Sequence, residues 1–270
     1  MLSKAGPFSG PPQWKPGEAK MTKPIATVPP RARIGFIIPS SNRMAEPNFQ
    51  KYAPAGVVPH FMRLRMSGPH RAKSFDDLIA GLEQAAAILG DAKCDLTMLQ
   101  CTGTSMSGGY GGEMEMVAAI ERATGRPGLT TANCLMMAFE RIGAKRLVFI
   151  SENDAAGYDE KKQFMQAAGM EIVGGRGAGL VSDESCVTPP AFWADIAREE
   201  RADNADSYFI SCANIQAIDA IETLEAELGK PVLTSNQVAL WAAVRSVGID
   251  DTLAGLGQLG ACPLPARKVA

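Results

Sequence analysis

The chain has 270 residues, 46% of them hydrophobic and 21% charged, and a net charge of −2. That composition is ordinary for a globular protein and supplies core for one large domain or two lobes. So neutral a balance argues against a nucleic-acid or anionic-membrane binder, which needs a basic surface. With only His60 and His70, a zinc site of several histidines is not expected. The six cysteines (Cys94, Cys101, Cys134, Cys186, Cys212 and Cys262) show no C-x-x-C spacing. They read as reduced thiols of a cytoplasmic protein rather than a disulfide framework. No run of 18 apolar residues is present to span a membrane.

In chain order, residues 1–31 are proline-rich, lack the apolar stretch of a secretory signal, and read as a disordered leader in which Met21 is an alternative start. From Arg33 the pattern alternates. Strands are expected at 34–38, 57–64, 95–99, around Leu129, and at 147–150, 170–173, 207–210 and 232–233. Helices are expected at about 44–52, 74–90, 113–124, 132–142, 158–168, 190–202, 214–228 and 236–247. Strands alternating with helices predict an α/β fold with parallel sheets. Ligands then sit in the loops at the carboxyl edge.

The chain also repeats itself. The run beginning Gly125-Arg-Pro-Gly-Leu-Thr recurs 104 residues later as Gly229-Lys-Pro-Val-Leu-Thr. Chance similarity between βα units is the alternative reading. Duplication predicts two lobes facing each other across a cleft, a first of residues 32–130 plus 235–270 and a second of 131–234. A cysteine follows the third strand of each half: Cys101 in Leu96-Thr-Met-Leu-Gln-Cys and Cys212 in Ser207-Tyr-Phe-Ile-Ser-Cys. A thiol between a strand and a helix meets unpaired backbone N–H groups and the positive end of the helix dipole, which favour thiolate. Two thiols aimed at one cleft suit a base opposite an acid, or a nucleophile opposite a proton donor. Inert burial is the competing reading for any free cysteine, and it is the one adopted for the other four.

Thr102, Gly103, Thr104 and Ser105 offer hydroxyls and approachable N–H groups, either as a nest for an oxyanion or as ordinary turn chemistry. Asn42, within Pro39-Ser-Ser-Asn42, is either a helix cap or a cleft-facing amide. Ser235-Asn236 reads likewise, with the cap favoured. The glycine clusters 108–112 and 174–179 only superficially resemble phosphate loops. Met106, Met114 and Met116 are expected to fill core.

Pro39-Ser-Ser-Asn-Arg-Met-Ala-Glu-Pro47, Cys101-Thr-Gly-Thr-Ser105, Ser211-Cys-Ala-Asn214 and Leu233-Thr-Ser-Asn-Gln237 resemble the maleate cis-trans isomerase branch of the aspartate/glutamate racemase superfamily. Arylmalonate decarboxylases belong to the same group. The likeness covers about residues 33 to 250. It implies two pseudo-symmetric flavodoxin-like lobes, no metal and no cofactor. Cys101 matches the nucleophilic thiol and Cys212 the proton-donating one. Asn42 matches the substrate-binding amide, Thr102 and Gly103 the carboxylate loop, and Ala213 and Asn214 the opposing loop; Thr104 joins the binding residues as part of the nest. Asn153 is counted with the binding residues.

Two positions depart from the family pattern. Ser151-Glu-Asn153 stands where the isomerases carry Thr-Pro-Tyr, with Tyr158 the next tyrosine, and Ser182-Asp183 replaces an asparagine; both changes bear on maleate as substrate. The decarboxylases have glycine where Cys101 stands, which argues against simple decarboxylation. The expected activity is therefore a cofactor-independent two-cysteine isomerase of a small (di)carboxylate. An Asp/Glu-type racemase, an arylmalonate-type decarboxylase and a non-catalytic small-acid binding protein are the alternatives. The expected partner is the substrate alone, without nucleic acid or membrane, and a homo-oligomer is left open.

Overall fold

A computed structural model describes residues 30–66, 72 and 74–266. The leader, Pro30 and Arg31 excepted, and His70 lie outside the described residues.

The first half runs β1 (Ala32–Pro39), α1 (Ala45–Tyr52), β2 (Val57–Leu64), α2 (Phe75–Asp91), β3 (Leu96–Leu99), the short α3 (Thr102–Met106), α4 (Gly112–Thr124) and β4 (Gly128–Thr130). Helix α5 (Thr131–Ile142) leads into β5 (Arg146–Ile150), α6 (Ala155–Ala167), β6 (Glu171–Gly174), the single turn α7 (Ser182–Ser185), α8 (Pro190–Glu199), β7 (Ser207–Ile210), α9 (Ile221–Leu228) and β8 (Val232–Thr234). Helix α10 (Ser235–Ser246) follows. The strands form two parallel sheets of the same order, β2-β1-β3-β4 and β6-β5-β7-β8. Parallel neighbours require crossovers, and the intervening helices supply them.

The physical basis of each element is local. Strands β1 and β5 sit inside their sheets and are near-continuous apolar runs, with Ile34, Phe36, Ile37, Ile38 and Leu147–Ile150 wholly buried. Helix α2 starts where Ser74 accepts from Asp77 N at 3.1 Å, and it buries Leu78, Leu82, Ala85, Ala86 and Leu89 at helical spacing. Helix α10 buries every residue from Ser235 to Arg245. It has no solvent face because it packs on α5 and also meets α1 and β3. Its buried Arg245 has its guanidinium hydrogen-bonded, donating to the carbonyls of Cys262, Ile249 and Gly260 at 2.9, 2.7 and 2.8 Å.

The internal repeat is a structural one. Gly125 closes α4 at φ 63° and Gly229 closes α9 at φ 64°, both left-handed. Five residues on, Thr130 caps α5 by accepting from Asn133 N, and Thr234 caps α10 by accepting from Gln237 N. The amide before each strand-end cysteine bonds its neighbouring strand identically, Gln100 N to Ile37 O and Ser211 N to Ile150 O, each at 2.8 Å.

Several expectations need correcting. Thr234, not Ser235 or Asn236, caps the last helix. The helix expected from residue 158 begins at Ala155, because Asp154 caps it. The one expected from 214 begins only at Ile221, after a 3-10 turn at Ala217–Ala220. Met106 and Met116 are core residues, but Met114 is 55% exposed.

The glycine cluster 174–179 has a purely structural cause. Gly175 has φ 107° and crosses β5 so closely that a Cβ would lie 1.8 Å from Phe149 O. The segment then hydrogen-bonds along the loop after β5, with Ala178, Gly179 and Leu180 N–H donating to the carbonyls of Ser151, Asn153 and Glu152. Tyr158 stacks on Phe149 in the core, centroids 4.8 Å apart. Among the described residues no helix is long and apolar enough to cross a membrane.

Candidate active site

In each sheet the chain leaves the first strand to one side and returns with the third on the other. That reversal opens a crevice at the carboxyl ends of those strands, the place where α/β sheets bind ligands. The first sheet offers the loops after β1 and β3, which carry Asn42 and Cys101. The second offers those after β5 and β7, which carry Asn153 and Cys212. All four loops line one cavity of about 320 Å3. Cys101, Cys212, Asn42, Thr102, Gly103, Thr104, Asn153, Ala213 and Asn214 all line it, whereas Ser105, Ser235 and Asn236, also weighed from the sequence, are buried and do not.

The two cysteines are not in equivalent surroundings. Cys101 is the extended residue immediately before α3, and its sulfur accepts from Thr104 Oγ1 at 3.1 Å. Cys212 is one of two described non-glycine residues with positive φ, at 118°. Such backbone costs on the order of 1–3 kcal/mol and persists only where the surroundings impose it. Here Cys212 N donates to Ser235 Oγ at 3.0 Å, and Asn214 N donates to Cys212 Sγ at 3.3 Å. No helix starts directly after Cys212, so the expected dipole is missing and its thiol is not biased toward thiolate. Burial pushes this thiol well above its ordinary value, and the Glu152 carboxylate beside it raises it further; Lys161 and the Asn214 N–H only partly oppose them. Cys212 thus holds its proton.

Ser235 joins the halves. Its fully buried hydroxyl accepts from Thr102 Oγ1 at 2.7 Å and from Cys212 N at 3.0 Å, so the residue after one cysteine and the other cysteine share one atom. A second bridge runs through Ala213 O, which accepts from Asn42 Nδ2 at 2.9 Å and Asn236 Nδ2 at 3.2 Å. Asn236 Oδ1 in turn accepts from Gln100 Nε2 at 2.7 Å. Asn42 also caps the following helix, its Oδ1 accepting from Met44 N and Ala45 N. Both sequence readings of Asn42, cap and cavity lining, therefore hold in one side chain. Arg43 N donates to Asn214 Oδ1 at 2.8 Å, which fixes that amide.

Two residues important to the site, Glu152 and Lys161, were not singled out as functional, and Ser235 was weighed there but read as a helix cap. Lys161 Nζ lies 3.1 and 3.0 Å from the two oxygens of Glu152, and its side chain is 7% exposed. Its signal was present but faint. Lys161 lies on the same face of α6 as the buried Tyr158, Phe164 and Met165, so it is a lysine set in an apolar stripe. Adjacent Lys162 and Glu160 make the run look like an ordinary solvated face. Glu152 could not be placed without knowing that 178–180 pins its loop. Among the described residues no group of three or more His, Cys, Asp or Glu side chains could hold a metal ion.

Comparison with known proteins agrees with this architecture. A family model described as arylmalonate decarboxylase matches residues 34–260. A maleate isomerase of Pseudomonas putida is 25% identical over 242 residues, covering 84% of this chain and 96% of that one. The crystal structure of a Pseudomonas putida maleate isomerase with maleate superposes with a TM-score of 0.78 at 22% identity, covering 86% of this chain and 98% of the other. A cysteine variant of the Nocardia farcinica maleate cis-trans isomerase, carrying a covalently bound succinylcysteine intermediate, gives 0.77 at 22% identity, covering 85% and 98%.

Proposed function

The chain belongs to the arylmalonate decarboxylase family, and from that premise we propose that it is a cofactor-independent, cysteine-based cis-trans isomerase of a small unsaturated carboxylate. One observation carries the reading: two cysteines at matching positions of a duplicated fold line a single cavity, each accepting a hydrogen bond at sulfur. The maleate isomerases above are similar over most of both chains.

In the proposed reaction the Cys101 thiolate adds to one alkene carbon of the cis acid. A C–S bond forms, and the π electrons move onto the neighbouring carbon and its carboxyl group. The Cys212 thiol delivers its proton to that carbon and becomes a thiolate. The central bond is now single and rotates. Cys212 then removes the proton, the electron pair restores the alkene, and Cys101 leaves as thiolate, releasing the trans acid. Atoms and charge balance, and both sulfurs return to their starting states. Stabilisation of the developing anion falls to the backbone N–H groups of the Thr102–Thr104 loop, where losing one preorganised donor costs ~10²–10³ in rate. The Asn214 N–H is directed at Cys212 Sγ, Thr104 Oγ1 at Cys101 Sγ and Thr102 Oγ1 at Ser235, so those three serve positioning instead. The reaction needs both sulfurs reduced, which supports a reducing compartment such as the cytoplasm.

Proton NMR of cis-enoic acids incubated with the enzyme in deuterated water tests the proposal. Cis-to-trans conversion is expected, and it should disappear in both Cys101→Ser and Cys212→Ser while far-UV circular dichroism stays unchanged. Full activity in either variant rejects the mechanism. Deuterium at the α-carbon of aspartate or glutamate would identify a racemase instead, and carbon dioxide from arylmalonate a decarboxylase.

A further inference from the structure

The charges lining the cavity restrict what can enter it. Among its described lining residues the charged side chains are Glu152, Glu160 and Lys161, two acids and one base. The single cation is already engaged, since both oxygens of Glu152 lie within 3.1 Å of Lys161 Nζ. The pair is largely shielded from water, with 7% of the lysine side chain and 15% of the glutamate side chain exposed, so screening by solvent and salt is weak. It also spans the site. Glu152 neighbours Cys212, while Lys161 Cε lies 3.8 Å from where a Cβ on Gly103, two residues after Cys101, would sit.

A second substrate carboxylate placed at this pair meets a carboxylate directly and gains only a cation already neutralised. Like charges in a shielded site repel strongly. A carboxamide behaves differently. Its N–H donates to Glu152 and its C=O accepts from Lys161, so one neutral planar group satisfies both members of the pair without adding charge. A Glu–Lys pair left in place by such a group stays hydrogen-bonded, whereas displacing either partner leaves an uncompensated charge.

We infer that Glu152 and Lys161 form a specificity-determining pair that selects a monocarboxylate carrying a carboxamide, the half-amide of a cis-enedioic acid, over the corresponding dicarboxylate. This rests on the isomerase reading for the identity of the reacting alkene, but the selectivity itself is a binding property and can be measured without turnover.

Isothermal titration of the full-length enzyme at neutral pH with two unreactive saturated probes, succinate and succinamate, tests it. Succinamate should bind at least about tenfold more tightly, equivalent to about 1.4 kcal/mol. In Glu152→Gln, which keeps the side chain's shape but removes its charge, the ratio should fall to one or reverse in favour of succinate. Equal or tighter succinate binding by the unaltered enzyme overturns the inference, as does an unchanged ratio in Glu152→Gln or binding of neither probe. If the preference holds while no cis alkene is isomerised, the isomerase reading fails and the selectivity stands. If isomerisation occurs with succinate preferred, the reverse is true.

Discussion

Ser235→Ala tests how the two halves of the site are held together. The hydroxyl is fully buried and accepts two hydrogen bonds, from Thr102 Oγ1 at 2.7 Å and Cys212 N at 3.0 Å. Removing it strands a buried hydroxyl and a backbone N–H. A buried polar group without a partner costs about 1–3 kcal/mol, so the two together set an upper range of about 2–6 kcal/mol. Two effects reduce this. The Thr102 hydroxyl can rotate toward another acceptor, and Cys212, no longer anchored at φ 118°, can relax part of a strain of about 1–3 kcal/mol. The net expectation is a loss of about 2–3 kcal/mol, a large share of the 5–15 kcal/mol typical of a folded domain. Urea unfolding followed by tryptophan fluorescence measures it directly. Relaxation of Cys212 also displaces its sulfur, and a misplacement of about 1 Å in a reacting group costs on the order of 10²-fold in rate, so kcat should fall by a similar factor. A stability change under about 0.5 kcal/mol with unchanged kcat would refute the view that this hydroxyl fixes the geometry between the lobes.

Three further outcomes follow from the same structure. Alkylation of Cys212 by iodoacetamide, followed by peptide mass spectrometry, should stay slow until well above the pH at which an ordinary thiol reacts; because Glu152 is one cause of the upward shift, Glu152→Gln should move the reactive limb to lower pH. A Cys212 that reacts like a free thiol contradicts the environment described for it. Gly175→Ala should fail to give soluble folded protein, since its Cβ would lie 1.8 Å from Phe149 O and its φ of 107° disfavours any side chain; recovery of normally melting protein would contradict that close approach. Asp206 accepts from Lys145 N, Arg146 N and the Arg146 guanidinium, which hold its carboxyl well below the usual range. A depressed carboxylate contributes stability fully present above its unfolded value of about 3.9 and progressively lost as pH falls below it toward the folded value. The difference in Tm between the unaltered protein and Asp206→Asn should therefore be largest near neutrality and shrink below about pH 4; a gap that does not change with pH argues against the linkage.

Much of the architecture is legible in one dimension because its causes are local. Apolar runs such as Phe36–Ile38 and Leu147–Ile150 read as interior strands, because a parallel strand buried on both faces must be apolar throughout. The 104-residue repeat announces duplicated lobes because its Gly, Pro and Thr positions serve the same cap and turn geometry twice. Cys101 and Cys212 stand out because each follows the third strand of its half, and strand order then brings both to the carboxyl edges. What stayed hidden depends on contacts between distant segments. Thr104 donates to Cys101 within one turn, whereas Cys212 is set by Ser235, 23 residues away, and by the Glu152 loop, pinned by residues 178–180. Strand periodicity carries no information about which residue will lie across a cleft, so the different surroundings of two equally placed thiols were decided only by folding. Lys161 shows the same limit, since helical spacing marks it as inward-facing, but only the packed lobes supply the carboxylate that lets a charge stay there.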